Sequence, residues 1–446
     1  MIVMKFGGTS VGSPAAFLDA VQLVESAVAR DPVVVVSALA GATDLLLEFA
    51  RRPAARAEIA ARLVERHRAL AHEVGVPVAA LEPPLAAWQG EARAWIEAGA
   101  HPDAPDQDRI LSFGERLAAE LFAAALECRG VPACAVVAGA AGLVADDAFG
   151  AAHPLPDAYV TLRATLGRRP PLPVVTGFLG QTLDGETTTL GSGGSDFSAA
   201  ILGAALGAAE IQIWTDTSGM LSADPRIVPE ARPVPRLSFR EASELAYFGA
   251  KVLHPKTLLP AVERGIPVRI LNTQRPDDPG SLVTSETSTA EETWRIKSIA
   301  CKKGIAAVTV DSTRMFMAYG FLARVFEIFG RHRIVVDLVT TSEVSISLTV
   351  DDTSNLLAAV EDLQAVGTIS VKPDLAVVAV VGEGAAARLG LAGHVFTLLG
   401  GVGIGVEMIS LCASRINLSF VVKQDDADRA VRLLHRGLGL DAPSAA

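Results

Sequence analysis

A short glycine-containing loop near the start of the sequence has the features of a phosphate-binding site. Gly7–Ser10 directly follows the apolar stretch Ile2–Phe6 and precedes a helical pattern that begins at Pro14. Glycines let the backbone approach a phosphate closely, and the first N–H groups of a helix are donors without an internal partner. Lys5 lies beside this loop and could neutralise phosphate charge. Two adjacent glycines also occur in ordinary turns, so this loop alone does not identify a phosphate site.

The distribution of lysine draws attention to Lys5. The sequence has 39 basic residues, eight of them lysines, and no lysine lies between Lys5 and Lys251. Arginine serves as the cation almost everywhere else, which codon bias in the genome would also explain. A lysine retained at each end of this long stretch is therefore a candidate for a specific role.

Other segments place carboxylates beside glycines or hydroxyl groups. Gly185–Asp196 (GETTTLGSGGSD) enters an alanine-rich helix, and Asp196 could take part in chemistry or simply cap that helix. In Ser112–Arg116, Glu115 stands at a helix start, where it could bind a substrate amine or only favour the helix dipole. Three more segments that carry charged or hydroxyl side chains are Trp214–Asp216, Ala223–Arg226 and Phe248–Pro255.

These polar segments need a scaffold that brings them together. Val33–Val36 is a continuous β-branched run, too short for a helix and suited to a buried parallel strand. Val174–Val175 and Ile211–Trp214 have the same character, and the residues between 54 and 129 have helical spacing. Alternating strands and helices predict an α/β domain with a largely parallel sheet. Ligands bind at the carboxyl ends of such strands, which is where the polar loops fall.

The pattern changes after Asp277–Thr293, a segment rich in Pro, Gly, Ser, Thr and Glu that is typical of a linker. Phe321–Asp352 resembles Val395–Asp426, and each copy indicates helix, strand, turn, strand and helix, with flanking strands. This repeat predicts two βαββαβ modules on antiparallel sheet. We expect Arg295–Lys302 to supply the strand that the second copy lacks, in the sheet that carries Val377–Val381. The expected bounds are 1–285 for the α/β domain, 286–294 for the linker, 304–376 for the first module, and 295–303 with 377–440 for the second.

Length and composition exclude several classes of protein. The 446 residues are 50% hydrophobic and 20% charged, which predicts two or three globular domains rather than a disordered, collagen-like or coiled-coil chain. A net charge of −11 without a basic stripe argues against nucleic acid as the main partner. The four cysteines form no CxxC pair and suggest neither a metal site nor a disulfide framework. We see no signal peptide, and the longest apolar stretch, Leu389–Val406, carries six glycines, so we expect a cytoplasmic protein without a membrane span.

Taken together, the motifs resemble those of the aspartate kinases in the amino-acid kinase superfamily. The matching stretches appear in the order of that family and extend across nearly the whole chain. The tail Gly320–Ser345 looks like the paired ACT regulatory modules of the lysine-sensitive type. The matching catalytic stretches are Lys5–Val11, Ser37–Asp44, Ser112–Arg116, Thr187–Asp196, Trp214–Arg226 and Phe248–Pro255.

The resemblance implies transfer of the γ-phosphoryl of ATP, with Mg²⁺, to the side-chain carboxylate of L-aspartate, giving 4-phospho-L-aspartate. That acceptor is already ionised, so alignment and charge neutralisation would suffice without a general base. The resemblance gives catalytic roles to Lys5 and Asp196. Asp196 would orient the lysine or help to hold magnesium, although no side chain is assigned as a metal ligand. It implies substrate binding by Thr43, Glu115, Phe178, Ser192 and Ser195. It implies nucleotide binding by Lys5, Gly7, Gly8, Ser37, Thr215, Asp216, Asp224, Arg226 and Lys251.

One position departs from the pattern of the family, which reads TTTLGRGGSD where this sequence has Ser192. The arginine of the family binds a substrate carboxylate, and a bidentate arginine–carboxylate pair is strong and selective. A serine can give at most one neutral hydrogen bond. Three explanations stay open: Arg109 or Arg116 reaches in from the Glu115 loop, aspartate binds weakly, or the acceptor is an aspartate-like compound of a specialised pathway.

The C-terminal modules carry a partly matching effector site. The resemblance implies binding of an amino acid such as lysine, with Asp337 and Glu343 suited to its ammonium groups, whereas Ala318 and Tyr319 depart from the pattern. The same residues could instead hold an interface between modules. ACT modules usually pair between chains, so a homodimer is expected. A non-catalytic amino-acid sensor is a third hypothesis, against which the retained catalytic motifs argue. The implied regulatory residues are Met315, Gly320, Asp337, Ser342 and Glu343.

Overall fold

The chain forms two units, each with its own sheet, helices and core. The computed structural model describes residues 1–167, 171–249, 255–285, 296–316, 319–383, 390–411 and 416–441. The first unit contains Met1–Met220, Pro235–Phe239 and Lys251–Glu286, and the second contains Leu221–Val234, Arg240–Ala250 and Thr287–Ala446. Leu221–Val234 and Arg240–Ala250 thus interrupt the first unit in sequence but belong to the second unit.

A largely parallel sheet forms the centre of the first unit. The strands of this unit, in chain order, are β1 (Ile2–Phe6), β2 (Pro32–Val36), β3 (Ala133–Val136), β4 (Leu172–Thr176), β5 (Leu179–Gln181), β6 (Thr187–Thr189), β7 (Ile211–Thr215), β8 (Arg236–Ser238), β9 (Val268–Asn272) and β10 (Ser281–Thr284). The order across the sheet is β3-β4-β2-β1-β7-β9-β10-β8, while β5 and β6 form a separate hairpin. Among the described strands of the large sheet, the β9–β10 pair alone runs antiparallel.

Helices cover both faces of this sheet. The helices of the first unit, in chain order, are α1 (Pro14–Ser26), α2 (Ala42–Arg51), α3 (Arg56–Glu73), α4 (Glu82–Ala98), α5 (Ala104–Leu111), α6 (Phe113–Cys128), α7 (Pro156–Leu166), α8 (Gly194–Leu206) and α10 (Leu259–Arg264). Helix α9 (Phe239–Tyr247) falls between α8 and α10 in sequence, but most of it belongs to the second unit. Helix α6 packs on β2, β3 and β4, whereas α8 packs on β1, β2 and β7. Because β1 and β2 are buried along their whole length, both of their faces are covered, which confirms the predicted α/β architecture.

An aromatic cluster supports the end of β1. The rings of Phe6 and Phe122 stack with centroids 5.6 Å apart, and the rings of Phe6 and Trp214 stack with centroids 6.1 Å apart. Burying a phenylalanine side chain stabilises a fold by roughly 1.5–3 kcal/mol. The glycine loop that follows Phe6 therefore starts from a rigid point in the core.

The second unit is built on an antiparallel sheet. Its strands are β11 (Ser298–Asp311), β12 (Val339–Thr341), β13 (Ser345–Val350), β14 (Thr368–Val381), β15 (Met408–Leu411) and β16 (Asn417–Lys423), in the order β12-β13-β11-β14-β16-β15. Its further helices are α11 (Phe321–Arg331), α12 (Leu356–Leu363), α13 (Leu391–Gly401) and α14 (Gln424–Gly437). One apolar core lies under α11 and α12, and another lies under α13 and α14.

Both long strands, β11 and β14, run through the two repeats. Ser298–Lys302 pairs with Val377–Val381, so the strand expected from Arg295–Lys302 is confirmed for its described residues. The second half of β11 pairs with β13, while the second half of β14 pairs with β16. The domain bounds drawn from the sequence stay a prediction, and the expected linker, 286–294, lies outside the described residues.

Apolar side chains of the described residues form the cores of both units. In the part of the chain that the structure describes, no helix has the length and hydropathy needed to cross a membrane.

Candidate active site

A cavity of about 380 Å³, lined by both charged and apolar groups, opens where β1 and β2 end. Residues that the sequence placed in separate motifs meet in its lining, because the carboxyl ends of neighbouring parallel strands share one edge of the sheet. The lining side chains and loops are Lys5, Gly8, Ser37–Gly41, Thr43, Asp44, Glu115, Phe178, Gly191 and Gly193–Asp196.

Lys5 and Asp196 form an ion pair in this cavity. Lys5 is on β1, whose residues are all buried, and its Nζ lies 2.5 Å from Oδ1 of Asp196. The two side chains are 10% and 13% exposed, so water screens the pair only in part. Asp196 lies in the first turn of α8, where the helix dipole favours a negative charge. The structure thus holds one cation and one carboxylate in fixed relation at the wall of a cavity.

The two glycines of the first motif have different surroundings. A Cβ on Gly8 would lie 3.1 Å from the carbonyl oxygen of Ala38, so the absence of a side chain lets the loops after β1 and β2 approach each other. The N–H of Gly7 donates to the carbonyl of Trp214 at 3.2 Å and so extends the pairing of β1 with β7. This N–H therefore already has an acceptor in the fold, and the nucleotide-binding role expected for Gly7 stays a prediction.

Glu115 forms the floor of the cavity at the start of α6. It is 4% exposed, and Oε1 accepts a hydrogen bond from the N–H of Ala38 at 3.1 Å. Burial raises the pKa of Glu115 to about 8, and this outweighs the opposing effect of the Ala38 hydrogen bond. Oε2 is buried and has no hydrogen-bond partner among the described residues. A buried carboxylate oxygen in a cavity wall is suited to a cationic ligand, such as an ammonium group.

Phe178 and Ser195 shape the same side of the cavity. Phe178 has a φ of 65°, in the left-handed region that a bulky residue adopts at a cost of roughly 1–3 kcal/mol. A Cβ on Gly194 would lie 2.5 Å from its ring, and one on Gly177 would lie 2.6 Å from Oγ of Ser195. The loop after β4 and the start of α8 therefore pack tightly, which fixes both lining residues.

The arginines expected to replace the missing cation lie elsewhere. Nη2 of Arg109 pairs with Glu91 at 3.1 Å and with Asp106 at 2.9 Å. The guanidinium of Arg116 lies 5.1 Å from the ring centre of Phe113 and lines a different cavity. Neither is among the described residues that line the active-site cavity, so the first explanation for Ser192 is wrong for this structure.

Ser192 itself is exposed between two glycines with positive φ, and it is not part of the described cavity lining. The arginine found near the cavity rim is Arg66 on α3, which donates to the carbonyl oxygen of Ala40. A Cβ on Gly41 would lie 3.8 Å from its guanidinium. No local motif indicates this contact, because the two residues are distant in sequence.

The predicted nucleotide residues fall in both units. In the first unit, Ser37 lines the cavity. Thr215 is the last residue of β7 and Asp216 follows it, and a hydrogen bond of 3.1 Å joins their side chains. In the second unit, Nη2 of Arg226 lies 2.6 Å from Oδ2 of Asp224, and this bond holds the pKa of Asp224 below its usual range. Lys251 lies outside the described residues.

A buried carboxylate that the sequence did not single out ties together the elements around the cavity. Asp108 on α5 is 2% exposed and accepts hydrogen bonds from Gly150 N at 2.8 Å, Thr189 N at 2.7 Å and Thr189 Oγ1 at 2.9 Å. Asp108 thereby joins α5, the helix that precedes α6, to β6, the strand that leads to the glycine turn at Gly191–Gly194. The sequence does contain one indication of such a residue, the run of three threonines at Thr187–Thr189. When threonine hydroxyl groups are buried they need a hydrogen-bond acceptor, and a carboxylate elsewhere in the chain can supply it.

In the second unit, Asp337 is already paired. Its side chain is 1% exposed, lies 3.4 Å from Nζ of Lys302 and accepts a hydrogen bond from the hydroxyl of Tyr247. An ammonium group of the chain itself thus lies beside Asp337, and the role of Asp337 in binding an effector stays a prediction. Ser342 and Glu343 are exposed, Gly320 has a φ of 76° before α11, and Met315 packs against the core under α11.

Comparison with known proteins agrees with this geometry. The profile of the amino acid kinase family matches residues 1–272, and an ACT domain profile matches residues 378–438. The chain belongs to the amino acid kinase family.

Within that family its relatives are aspartokinases. It is 37% identical to the chloroplastic aspartokinase 3 of Arabidopsis thaliana, over 97% of this chain and 80% of that protein. It is 36% identical to the lysine-sensitive aspartokinase 3 of Escherichia coli K12, over 98% and 99% of the two chains. The crystal structure of E. coli aspartokinase III with aspartate and ADP superposes with a TM-score of 0.85 at 35% identity, covering 98% and 99%. The resemblance inferred from the motifs is confirmed.

Proposed function

We propose that this protein transfers the γ-phosphoryl group of ATP to the side-chain carboxylate of L-aspartate, giving 4-phospho-L-aspartate and ADP. The observation that carries the proposal is one cavity lined both by the Lys5–Asp196 ion pair and by the buried Glu115 carboxylate. A relative with the same fold has been solved with aspartate and ADP, the acceptor and the spent donor of this reaction.

Phosphoryl transfer of this kind needs positioning and charge neutralisation more than covalent help. The carboxylate oxygen of the acceptor forms a bond to the γ-phosphorus, and the bond to the oxygen of ADP breaks. Lys5 neutralises negative charge on the transferring group, and Asp196 holds the lysine in place. Glu115 binds the ammonium of aspartate through the unpartnered Oε2.

Magnesium fits the donor set of this cavity. Mg²⁺ prefers oxygen ligands and is usually held by one or two carboxylates together with nucleotide phosphates. Asp196 and Asp44 contribute carboxylates to the lining and would hold the ion together with ATP. When bound, it would neutralise charge on the phosphates. In the described residues, no cluster of three or more His, Cys, Asp or Glu side chains forms a separate metal site.

The experiment that tests this function mixes the purified protein with ATP, Mg²⁺ and aspartate and traps the acyl phosphate with hydroxylamine. We expect turnover by the wild type and a loss of at least about a hundredfold in kcat for Lys5→Ala, because removing even one neutral preorganised donor to a developing negative charge costs about 2.7–4 kcal/mol. Lys372→Ala, which removes an exposed lysine paired with Glu407, is the matched control and should behave as wild type. Wild-type kcat in Lys5→Ala contradicts the role of Lys5.

A second candidate function is favoured by Ser192, which leaves the cavity without the expected carboxylate-binding arginine. The acceptor would then be an aspartate-like compound in which this carboxylate is absent or differently placed. Assaying a set of aspartate analogues in the same hydroxylamine assay separates the two functions. Ser192→Arg should lower KM for aspartate about tenfold if the position sets acceptor affinity, whereas Ser192→Ala should leave it unchanged.

We further propose regulation by an amino acid such as lysine and assembly as a homodimer through the second unit. The support is the match to an ACT domain and a relative solved in complex with lysine and aspartate, with a TM-score of 0.80 at 34% identity. Exposed apolar side chains in this unit also favour assembly: Leu322, Phe326, Ile409 and Leu411. Activity that does not change in millimolar lysine would remove the regulatory proposal.

A further inference from the structure

The active-site cavity has little positive charge for the anionic groups that it would hold. Among the described residues that line it, Lys5 is the one cation, and it is paired with Asp196 at 2.5 Å. The same lining contains two further carboxyl groups, those of Asp44 and Glu115. An aspartate acceptor would bring two carboxylates, of which one receives the phosphoryl group beside Lys5. The other carboxylate needs a cation that this lining does not contain.

A cation lies next to the loop that forms one side of the cavity. This loop, Ser37–Gly41, follows β2 and lines the cavity. Arg66 on α3 donates a hydrogen bond from Nη2 to the carbonyl oxygen of Ala40. Its Nη1, Nη2 and Cζ atoms lie 3.8, 3.9 and 4.0 Å from the position that a Cβ on Gly41 would take. The guanidinium group is thus held at the edge of the cavity, against a residue that has no side chain to cover it.

The guanidinium group of Arg66 keeps donors free for a ligand. Arg66 is exposed, and within the described part of the chain it makes no ion pair. Arginine has five N–H donors in a planar fork, and the hydrogen bond to Ala40 uses one of them. Arg109 is instead bound to two carboxylates, and Arg116 lies over an aromatic ring. A carboxylate can accept two parallel hydrogen bonds from a free fork, which makes the pair strong and selective.

The loop that Arg66 contacts and the glycines on either side of Ser192 line one and the same cavity. We propose that Arg66 binds the α-carboxylate of the acceptor and so replaces the arginine that the family has at the position of Ser192. The acceptor then meets Lys5 with its side-chain carboxylate, Glu115 with its ammonium group and Arg66 with its α-carboxylate. This inference rests on the proposed function, since it takes an amino-acid acceptor in this cavity as given.

The test compares Arg66→Met and Arg66→Gln with the wild type in the full-length protein, by the hydroxylamine assay. We expect KM for aspartate to rise at least about tenfold in both variants, because each loses a charged contact made at two points. KM for ATP should stay within twofold of wild type. The glutamine amide can still donate to Ala40. A near-wild-type KM for aspartate in Arg66→Gln would therefore limit Arg66 to supporting the loop and overturn the inference.

Arg62→Met is the matched control. Arg62 lies one turn earlier on α3, its side chain is 54% exposed, and its Nη1 lies 3.8 Å from Oε1 of Glu58. This variant removes an exposed arginine of the same helix that does not contact the cavity loop. Both KM values should equal those of the wild type.

An analogue without the α-carboxylate identifies the group that Arg66 binds. The α-amide of L-aspartate keeps the side-chain carboxylate and the ammonium group and carries no charge at the third position. In calorimetric titration the wild type should bind aspartate more tightly than this amide, and Arg66→Met should lose affinity for aspartate but not for the amide. Equal losses for the two ligands would contradict a contact with the α-carboxylate.

A second substitution tests whether Arg66 and position 192 serve the same carboxylate. Ser192→Arg in the Arg66→Met background should return KM for aspartate to within about threefold of wild type. In that background it should improve KM more than it does in the wild type, because only there is the carboxylate left without a cation. Equal effects of Ser192→Arg in the two backgrounds would show that the two positions act independently and overturn the replacement.

The same assays separate failure of the inference from failure of the proposed function. A wild type that forms no acyl phosphate from ATP and aspartate contradicts the proposed function. A wild type that turns over aspartate, with an unchanged KM for aspartate in Arg66→Met, contradicts the role of Arg66 alone. A rise in KM for ATP instead of aspartate would assign the guanidinium to the nucleotide phosphates and likewise overturn the inference.

Discussion

Glu115 is the residue whose chemistry depends most on what occupies the cavity. Burial raises its pKa to about 8, so in the free protein at neutral pH the carboxyl group is mostly protonated. An ammonium group in contact with Oε2 favours the charged form and lowers the pKa again. Substrate binding and proton release from Glu115 are therefore linked.

This linkage predicts a pH-dependent affinity for aspartate. As pH rises from 6 to 8, the free protein holds the proton on Glu115 less often, so KM for aspartate should fall, by at most about tenfold per pH unit. KM for ATP should not follow the same curve. Initial rates measured across this range, in buffers of constant ionic strength, provide the check.

Glu115→Gln is the control for this prediction. It keeps the shape of the side chain and removes the titrating group, so KM for aspartate should be higher and flat between pH 6 and 8. A pH dependence that survives in this variant would assign the effect to another group.

Single residues were also what the sequence predicted best. Lys5, Glu115 and Asp196 were each identified from glycines, helix starts and motif order, and the structure brings all three to one cavity. What the sequence did not predict are the partners that some of these residues have in the fold. The bonded N–H of Gly7 and the Lys302 partner of Asp337 depend on contacts distant in sequence, which no local pattern encodes.

At the scale of secondary-structure elements, the active site depends on how α5, β6 and the loop at Gly150 are held together. Asp108 makes this connection with three short hydrogen bonds. Burial raises the pKa of Asp108, which means that the site does not favour a negative charge at this position. An asparagine, which has the same shape and no charge, should therefore be tolerated here.

We expect Asp108→Ala to lower the free energy of unfolding by about 2–4 kcal/mol, because each buried donor left unpaired costs roughly 1–3 kcal/mol. KM for aspartate should rise in the same variant, since the strand before the glycine turn loses its anchor. Urea denaturation and initial rates measure the two effects.

Two variants serve as comparisons for Asp108→Ala. Asp108→Asn retains an acceptor for the backbone N–H groups and should lose less than about 1 kcal/mol. Asp103→Ala removes an exposed cap of the same helix, which accepts from Asp106 N at 3.0 Å, and should cost about 1 kcal/mol without a change in KM. An unchanged KM in Asp108→Ala would limit Asp108 to a role in stability.

The strands themselves were predictable for a physical reason. Val33–Val36 is an apolar run and Ile211–Trp214 is apolar except for Gln212, as a parallel sheet covered on both faces requires, and these segments form β2 and β7. The placement of Leu221–Val234 in the second unit was not predictable. Its apolar residues, such as Ala223 and Val228, show that it is buried but not which core receives them.

At the scale of the whole molecule, the proposed dimer needs a surface on each chain that a second chain can cover. Leu322 and Phe326 lie one helical turn apart on α11, and they are 42% and 39% exposed. Apolar side chains at this spacing form a stripe that a second chain can cover.

We expect light scattering to give twice the chain mass for the wild type and a monomer for Phe326→Glu at low micromolar concentration, because the substitution buries a charge in the interface. Val160→Glu is the matched control, since Val160 is 71% exposed on α7 of the first unit. A dimer that persists in Phe326→Glu would place the interface elsewhere.

The two strands that run through both repeats limit how the protein can be engineered. Ser298–Asp311 and Thr368–Val381 each contribute one half to each repeat. A truncation or chimera joined at a single point between the repeats would cut through a strand that both cores need. Exchange of regulatory properties between relatives should therefore succeed only when the whole pair of repeats is transplanted as one piece.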